Sequence, residues 1–178
     1  MRALVWVQRP GADRAEVVVE LGGSTEGVAE DRTRLAKKLL LEEAEPGRVD
    51  ALRDARAAAE GPVRFRARVP GSRCDAMRSA VVEAGLGVSS DPGLGVVQAW
   101  GELLEASQLA ALRALAESAG GFLTVEAMPD AWRGSVDVFG AIGGTASLVA
   151  TLKERFDPAG ILNPGRFVRT EIREEVRT

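Results

Sequence analysis

The segment from residue 63 to residue 69, VRFRARV, alternates between apolar and charged side chains over its whole length. Successive side chains of a β-strand point to opposite faces of a sheet, so this segment predicts a strand with one buried and one open face. The apolar set is Val63, Phe65, Ala67 and Val69, and the charged set is Arg64, Arg66 and Arg68. Parallel sheets are usually buried on both faces, so a strand of this kind favours an antiparallel sheet.

Other short strands and helices follow one another along the chain. The Val-rich segments 3–8 and 16–21 flank a turn that contains Pro, Gly and Asp, which predicts a β-hairpin. Further strands are expected at 94–100 and 122–127, and helices at 25–43, from just after Ser72 to about 84, and at 107–120. In the first of these helices, Val28, Leu35 and Leu39 recur at helical spacing. Residues 48–59 predict either a short exposed helix or an ordered linker.

This order of elements predicts an α+β fold, in which an antiparallel sheet carries helices on one face as in a ferredoxin-like plait. A doubly wound parallel sheet is the alternative that the opening hairpin argues against. We expect residues 1–129 to form this α+β domain. Residues 130–170 are expected to form a Gly-rich segment, a helix with an apolar stripe and a turn, and residues 171–178 a charged tail.

The composition excludes several kinds of chemistry. The chain has no His and no Tyr, so it brings neither an imidazole nor a phenol to a reaction, and with one Cys a zinc site is not expected. A net charge of −3 argues against a nucleic-acid-binding protein. The sequence contains no apolar run long enough for a membrane span and begins unlike a signal peptide, and its single Cys suits a reducing compartment. A cytoplasmic location is therefore expected.

The stretch from residue 152 to residue 167, LKERFDPAGILNPGRF, joins a helix end to a tight turn. It resembles the terminal signature of the FAD-linked oxidase superfamily, the vanillyl-alcohol-oxidase type, in which a helix stops at Asp-Pro and an ILNPG turn is followed by Lys or Arg. Three upstream segments are similar to the FAD-binding subunit of glycolate oxidase. They are PVRFRARVP at 62–70, GGFLTVEAMP at 120–129 and VDVFG at 136–140.

The resemblance implies FAD as the cofactor and a small 2-hydroxy acid, such as glycolate or lactate, as the substrate. It also implies that the terminal turn contacts the cofactor through Asn163, Pro164, Gly165 and Arg166. The family places a flavin-binding lobe, with a Gly/Ser-rich phosphate loop, before the region seen here. The segment 22–25 is too short and too isolated to replace that loop, and the segment 140–145 lacks the preceding buried strand of a dinucleotide-binding motif. We therefore expect this chain not to bind FAD alone and to need the missing lobe or subunit as its partner.

Four further residues have two interpretations each. Arg66 first, and then Arg64, could hold a substrate carboxylate through paired hydrogen bonds, or could be solvated charges on an open sheet face. Trp132 could line a substrate pocket, or could pack at the edge of the core. Cys74 could be a reactive thiolate at a helix start, or a buried unreactive thiol, which the absence of His favours. In addition, Glu126 is expected to pair with an Arg.

Two functional hypotheses follow. The first is that the chain is the substrate-side portion of an FAD-dependent 2-hydroxy-acid oxidoreductase, which predicts an exposed apolar docking surface around residues 130–168. The second is a stand-alone module for small-molecule binding or protein interaction that kept the fold and lost the redox role. It predicts a polar surface in the same region.

Overall fold

The chain divides into two compact units, residues 1–138 and residues 139–178. The computed structural model describes residues 3–57, 61–103, 105–140 and 146–163, and the expected charged tail lies outside them. The boundary falls after Val138, beyond the expected position after Pro129. The strands are β1 (Ala3–Gln8), β2 (Glu16–Glu20), β3 (Val63–Arg68), β4 (Gly87–Asp91), β5 (Val96–Gly101) and β6 (Phe122–Ala127). The helices are α1 (Thr25–Ala36), α2 (Arg48–Ala57), α3 (Cys74–Glu83), α4 (Ala106–Ser118) and α5 (Ala146–Phe156).

The six strands form one antiparallel sheet in the order β2-β1-β4-β5-β3-β6. The run β3-α3-β4-β5-α4-β6, with spatial order β4-β5-β3-β6, is the arrangement of a ferredoxin-like plait. The β1–β2 hairpin lengthens the sheet beside β4. The α+β prediction is confirmed, and the parallel alternative is excluded.

The main core lies between the sheet and helices α3 and α4. Strand β3 contributes Val63, Phe65 and Ala67, all fully buried, while Arg64, Arg66 and Arg68 project from the other face. The alternation predicted for this strand is therefore confirmed. The helices contribute Cys74, Met77 and Val81 from α3 and Leu109, Leu112 and Ala116 from α4.

Strand β4 was not predicted, because its sequence GVSSD has the composition of a loop. The structure places it in the middle of the sheet, where Ser89, Ser90 and Asp91 are buried. Strands β4 and β5 form a hairpin whose turn is tied by the N–H of Leu94, which donates to Asp91 Oδ1 at 3.2 Å. Tertiary pairing with strands on both sides thus overrides the weak strand propensity of Gly, Ser and Asp.

Helix α2 covers the opposite face of the sheet at the β1–β2 end. Of the two predictions for this segment, the short helix is confirmed and the linker is wrong. The helix is not fully exposed as predicted, because its Val49 and Leu52 are buried against β1 and β2. Arg48 donates two hydrogen bonds to the carboxylate of Glu16, at 2.8 and 2.6 Å. These hydrogen bonds lower the pKa of Glu16.

Helix α1 ends at Ala36 instead of near Glu43, and none of its side chains is buried. The predicted start of this helix near residue 25 is confirmed, and its predicted extension to residue 43 was wrong. Ser24 caps the start of the helix, because its Oγ accepts from the N–H of Gly27 at 3.2 Å. The helix ends in a tighter turn, in which the N–H of Lys38 donates to the carbonyl of Leu35. The predicted helix was longer because the apolar residues beyond that turn continue the helical spacing.

The two outer strands of the sheet differ in what lies beside them. At β6, the N–H of Val125 donates to the carbonyl of Val138 at 2.8 Å, so the segment after the strand protects part of this edge. Strand β2 is the outer strand on the other side. Among the described residues, no helix has the length and apolar character needed to cross a bilayer.

Candidate functional site

The open face of the sheet carries a row of polar side chains from four neighbouring strands. The strand register aligns Ser89, Gln98, Arg66 and Thr124, in that order, across β4, β5, β3 and β6. This row lies opposite the helix-covered core, because its members alternate with the buried residues of each strand. The structure thereby brings the predicted substrate residue Arg66 together with three polar groups that were not predicted.

Two buried polar atoms of this row have no hydrogen-bond partner within the described part of the chain. They are Ser89 Oγ and Arg66 Nε. Buried polar atoms in folded proteins are almost always paired with protein or water, so an unpaired pair of this kind is unusual. Gln98 stands between these two residues in the register. Both atoms are inaccessible to solvent, so a ligand or water could pair with them only after the neighbouring side chains move.

Arg66 is held by a carboxylate of the same unit. Its Nη2 lies 2.8 Å from Glu126 Oε1, and both side chains are partly exposed. A bulge in β6 produces this contact, since Arg64 pairs with Ala127 and Phe65 with Val125, which leaves Glu126 as the extra residue. The expectation that Glu126 pairs with an Arg is confirmed. A ligand carboxylate would have to share or displace this contact in order to bind Arg66.

Arg64 lies beside an indole on the same open face. It pairs with Trp100 of β5, and Trp100 in turn pairs with Gly87 of β4. A Cβ atom on Gly87 would come within 2.5 Å of the Trp100 ring, so the indole packs directly on the glycine backbone. The face therefore combines three arginines with an aromatic plane, an arrangement suited to a small carboxylate with an apolar portion.

Trp132 lies in the short 3₁₀ turn Asp130–Trp132, at the border of the main core. It packs against the core on the helix side of the sheet, as do Val136 and Val138. The structure therefore does not place Trp132 in the polar row with Arg64 and Arg66. This position matches its alternative interpretation as a packing residue.

Cys74 opens α3, with its thiol fully buried. Burial raises the pKa of this thiol, and the nearby carboxylate of Asp91 raises it further, while a hydrogen bond with Ser90 acts in the opposite direction. A thiol with a raised pKa carries little thiolate at neutral pH. These features favour the unreactive interpretation.

In the second unit, the carboxylate of Asp157 organises the turn that follows α5. Its Oδ1 accepts from the N–H of Ile161 and its Oδ2 from the N–H of Leu162, both at 2.9 Å. Lys153 forms an ion pair with the same carboxylate and also donates to the carbonyl of Leu162. The sequence pattern identified Asp157 only as a helix stop, whereas the structure makes it the centre of the turn.

The described residues of this turn do not build a cradle for the flavin pyrophosphate. The N–H groups of Ile161 and Leu162 are directed at Asp157, whose negative charge would repel a phosphate. Asn163 is exposed and has a φ of 46°, a left-handed conformation that Asn tolerates better than most residues. Its predicted cofactor contact stays a prediction, and Pro164, Gly165 and Arg166 lie outside the described residues.

Replacing Asp157 by Asn is expected to loosen this turn at neutral pH. An amide offers one oxygen instead of two and directs its NH₂ group at donors, so amide hydrogen exchange at Ile161 and Leu162 should accelerate by roughly tenfold. Exchange measured by NMR checks this, with Glu154→Gln on the same helix as the charge-matched control. Equal exchange in the Asp157 variant and the wild type would refute the assigned role.

The same contacts give the turn a defined pH dependence. The hydrogen bond from Lys153 and those from Leu162 and Ile161 hold the pKa of Asp157 below its ordinary value of 3.8. A depressed folded-state pKa means that the stabilisation is complete above that ordinary value and is lost as pH falls through the lower folded-state value. Acidification of the wild type through that lower folded-state pKa should therefore reproduce the exchange behaviour of the Asn variant.

Comparison with known proteins adds no assignment to this geometry. No family model, no curated protein and no solved structure matches the chain. No group of three or more His, Cys, Asp or Glu side chains within the described ranges is arranged to hold a metal ion. A function can therefore be proposed only from the residues themselves and from the resemblance of the terminal motif to the FAD-linked oxidase family.

Proposed function

We propose that this chain is the substrate-side component of an FAD-dependent oxidoreductase for a small 2-hydroxy acid such as glycolate or lactate. In this proposal the chain works only together with a flavin-binding lobe that another segment or subunit supplies. The resemblance of residues 152–167, and of three upstream segments, to the FAD-linked oxidase family motivates it. One structural observation, the apolar surface of the second unit, carries it further.

That surface consists of large apolar side chains exposed on and after α5. They are Leu148, Leu152, Phe156, Ile161 and Leu162. A run of exposed apolar side chains in one short region is uncommon unless another surface covers it. Of the two hypotheses, the component of a larger enzyme predicts an apolar surface here, and the stand-alone module predicts a polar one. The observation favours the component.

The open sheet face supplies the second part of the proposal. A 2-hydroxy acid carries a carboxylate, which a guanidinium recognises through charge and directed hydrogen bonds. Arg64 and Arg66, with Gln98 beside Arg66 in the register, would bind this carboxylate and orient the substrate. When bound in the complete enzyme, FAD would accept the hydride from the substrate. Because the chain has neither His nor Tyr, we assign it to substrate positioning and not to proton transfer.

A flavin-retention experiment tests this function. The purified chain is incubated with FAD and desalted, alone and after co-expression with a candidate flavin-binding lobe, sought among the reading frames next to its gene. We expect a visible flavin band only for the co-expressed pair, and we expect glycolate or lactate to bleach that band in the absence of oxygen. Flavin retained by the isolated chain, or a pair that neither forms nor responds to either acid, would overturn the proposal.

Variants of the apolar surface separate docking from substrate binding. The double variant Leu152→Asp with Phe156→Asp should abolish co-purification with the flavin lobe, because it places charges where apolar contact is expected. Arg66→Gln should leave co-purification intact and weaken the response to acid substrate by roughly tenfold or more. Leu94→Asp, at an exposed position in the β4–β5 turn, is the control that should change neither property.

A further inference from the structure

The segment after α1 exposes three consecutive leucines. The relative exposures are 52% for Leu39, 106% for Leu40 and 46% for Leu41. Helix α1, which precedes them, also buries none of its side chains. Exposed leucines are common singly, but three in succession with a fully exposed central member form a small contact surface.

The charges around these leucines are arranged antisymmetrically about Leu40. The sequence from residue 37 to residue 43 reads KKLLLEE, with two Lys before the leucines and two Glu after them. If two copies of this segment meet in antiparallel orientation about a twofold axis at Leu40, the leucines of the two copies meet at the centre. The Lys37–Lys38 end of each copy then lies beside the Glu42–Glu43 end of the other.

Such a pattern is what an isologous interface requires, because a twofold axis brings each residue of one copy to its counterpart of the other. The apolar centre excludes water, and the charge pairs at its ends fix the antiparallel orientation. Glu43 already contacts Arg32 at 3.3 Å, but both side chains are well exposed. An exposed ion pair contributes little, so Glu43 can exchange this partner for Lys37 of a second copy.

We infer that residues 37–43 form a self-association surface whose partner is a second copy of this chain. The inference is independent of the proposed flavoenzyme function, since it depends only on the first unit. Three leucines and four charged residues cover less than the roughly 800 Å² per partner that stable complexes bury. We therefore expect a weak, transient dimer, because small interfaces belong to the transient class.

Sedimentation equilibrium over a concentration series tests the contact. We expect the wild type to pass from monomer to dimer and Leu40→Asp to remain monomeric, with self-association weakened by at least about tenfold. Leu94→Asp is the matched control, because Leu94 is also an exposed leucine, at 65%, and should leave the equilibrium unchanged. A wild type that stays monomeric throughout, or a dimer that survives Leu40→Asp, would overturn the inference.

Two charge-reversal variants distinguish the antiparallel contact from nonspecific hydrophobic association. One variant carries Lys37→Glu and Lys38→Glu, and the other carries Glu42→Lys and Glu43→Lys. Each alone places like charges opposite one another and should be monomeric, whereas an equimolar mixture restores the opposite-charge pairs and should form a mixed dimer. Circular dichroism spectra equal to the wild type show that the variants remain folded. Failure of the folded mixture to associate would contradict the proposed orientation.

Discussion

Replacing Phe65 by Ala is expected to lower the free energy of unfolding of the first unit by about 3–5 kcal/mol, the usual cost of deleting a buried aromatic ring. Phe65 is 1% exposed, in the main core between the sheet and helices α3 and α4. Strand β3 has neighbours on both sides, so its backbone cannot move inward to fill the space without disturbing β5 and β6. The urea midpoint should fall with an unchanged slope.

Phe122→Ala is the matched control for this prediction. It removes the same ring from a neighbouring strand, but Phe122 is 46% exposed and lies on the open face of the sheet. Its loss should cost less than about 1 kcal/mol. Similar losses for Phe65→Ala and Phe122→Ala would show that the main core is not where the structure places it.

Gly121→Ala is the second large effect that we expect, at about 2 kcal/mol or more. A Cβ atom at Gly121 would lie 2.0 Å from the carbonyl oxygen of Arg68 and 2.9 Å from Cγ1 of Val69. A backbone oxygen cannot rotate away as a side chain can. Either β6 must shift at its first pair, Phe122 with Arg68, or β3 must bend at its end.

The control for the glycine prediction is Gly27→Ala in the first turn of α1. There the nearest atom to an added Cβ is Ser24 Oγ at 3.2 Å, the end of a small side chain on an exposed helix. Because Ala also favours helix over Gly, this variant should change stability by less than about 1 kcal/mol, in either direction. Comparable unfolding midpoints for the two variants would contradict the close approach of β6 to β3.

The fold was predictable to the extent that local patterns carry it. Alternation in β3 indicated an antiparallel sheet with an open face, and the arrangement of strands and helices then favoured the ferredoxin-like plait. Strand β4 was not predicted because Gly, Ser and Asp have weak strand propensity. They form a strand here because β4 pairs with both β1 and β5. Helix α1 was predicted to be too long, because a periodic apolar pattern does not show whether another element packs against it.

The candidate site was predictable only in part. Period-two alternation was sufficient to place Arg64 and Arg66 on the open face. The row that Arg66 forms with Ser89 depends on the register of β3, β5 and β4, which no single segment encodes. The ion pair between Arg66 and Glu126 depends on a bulge in β6 that the sequence pattern does not predict.

The outer position of β2 has a consequence for aggregation. An outer strand offers its backbone to another chain, and EVVVE, the sequence of β2, combines high strand propensity with an apolar centre. If two β2 strands paired antiparallel about Val18, Glu16 of one would face Glu20 of the other, and the like charges would repel. The two glutamates would therefore disfavour this pairing, although Arg48 offsets part of the charge of Glu16, and replacing both by Thr should promote fibril formation in concentrated samples of this protein.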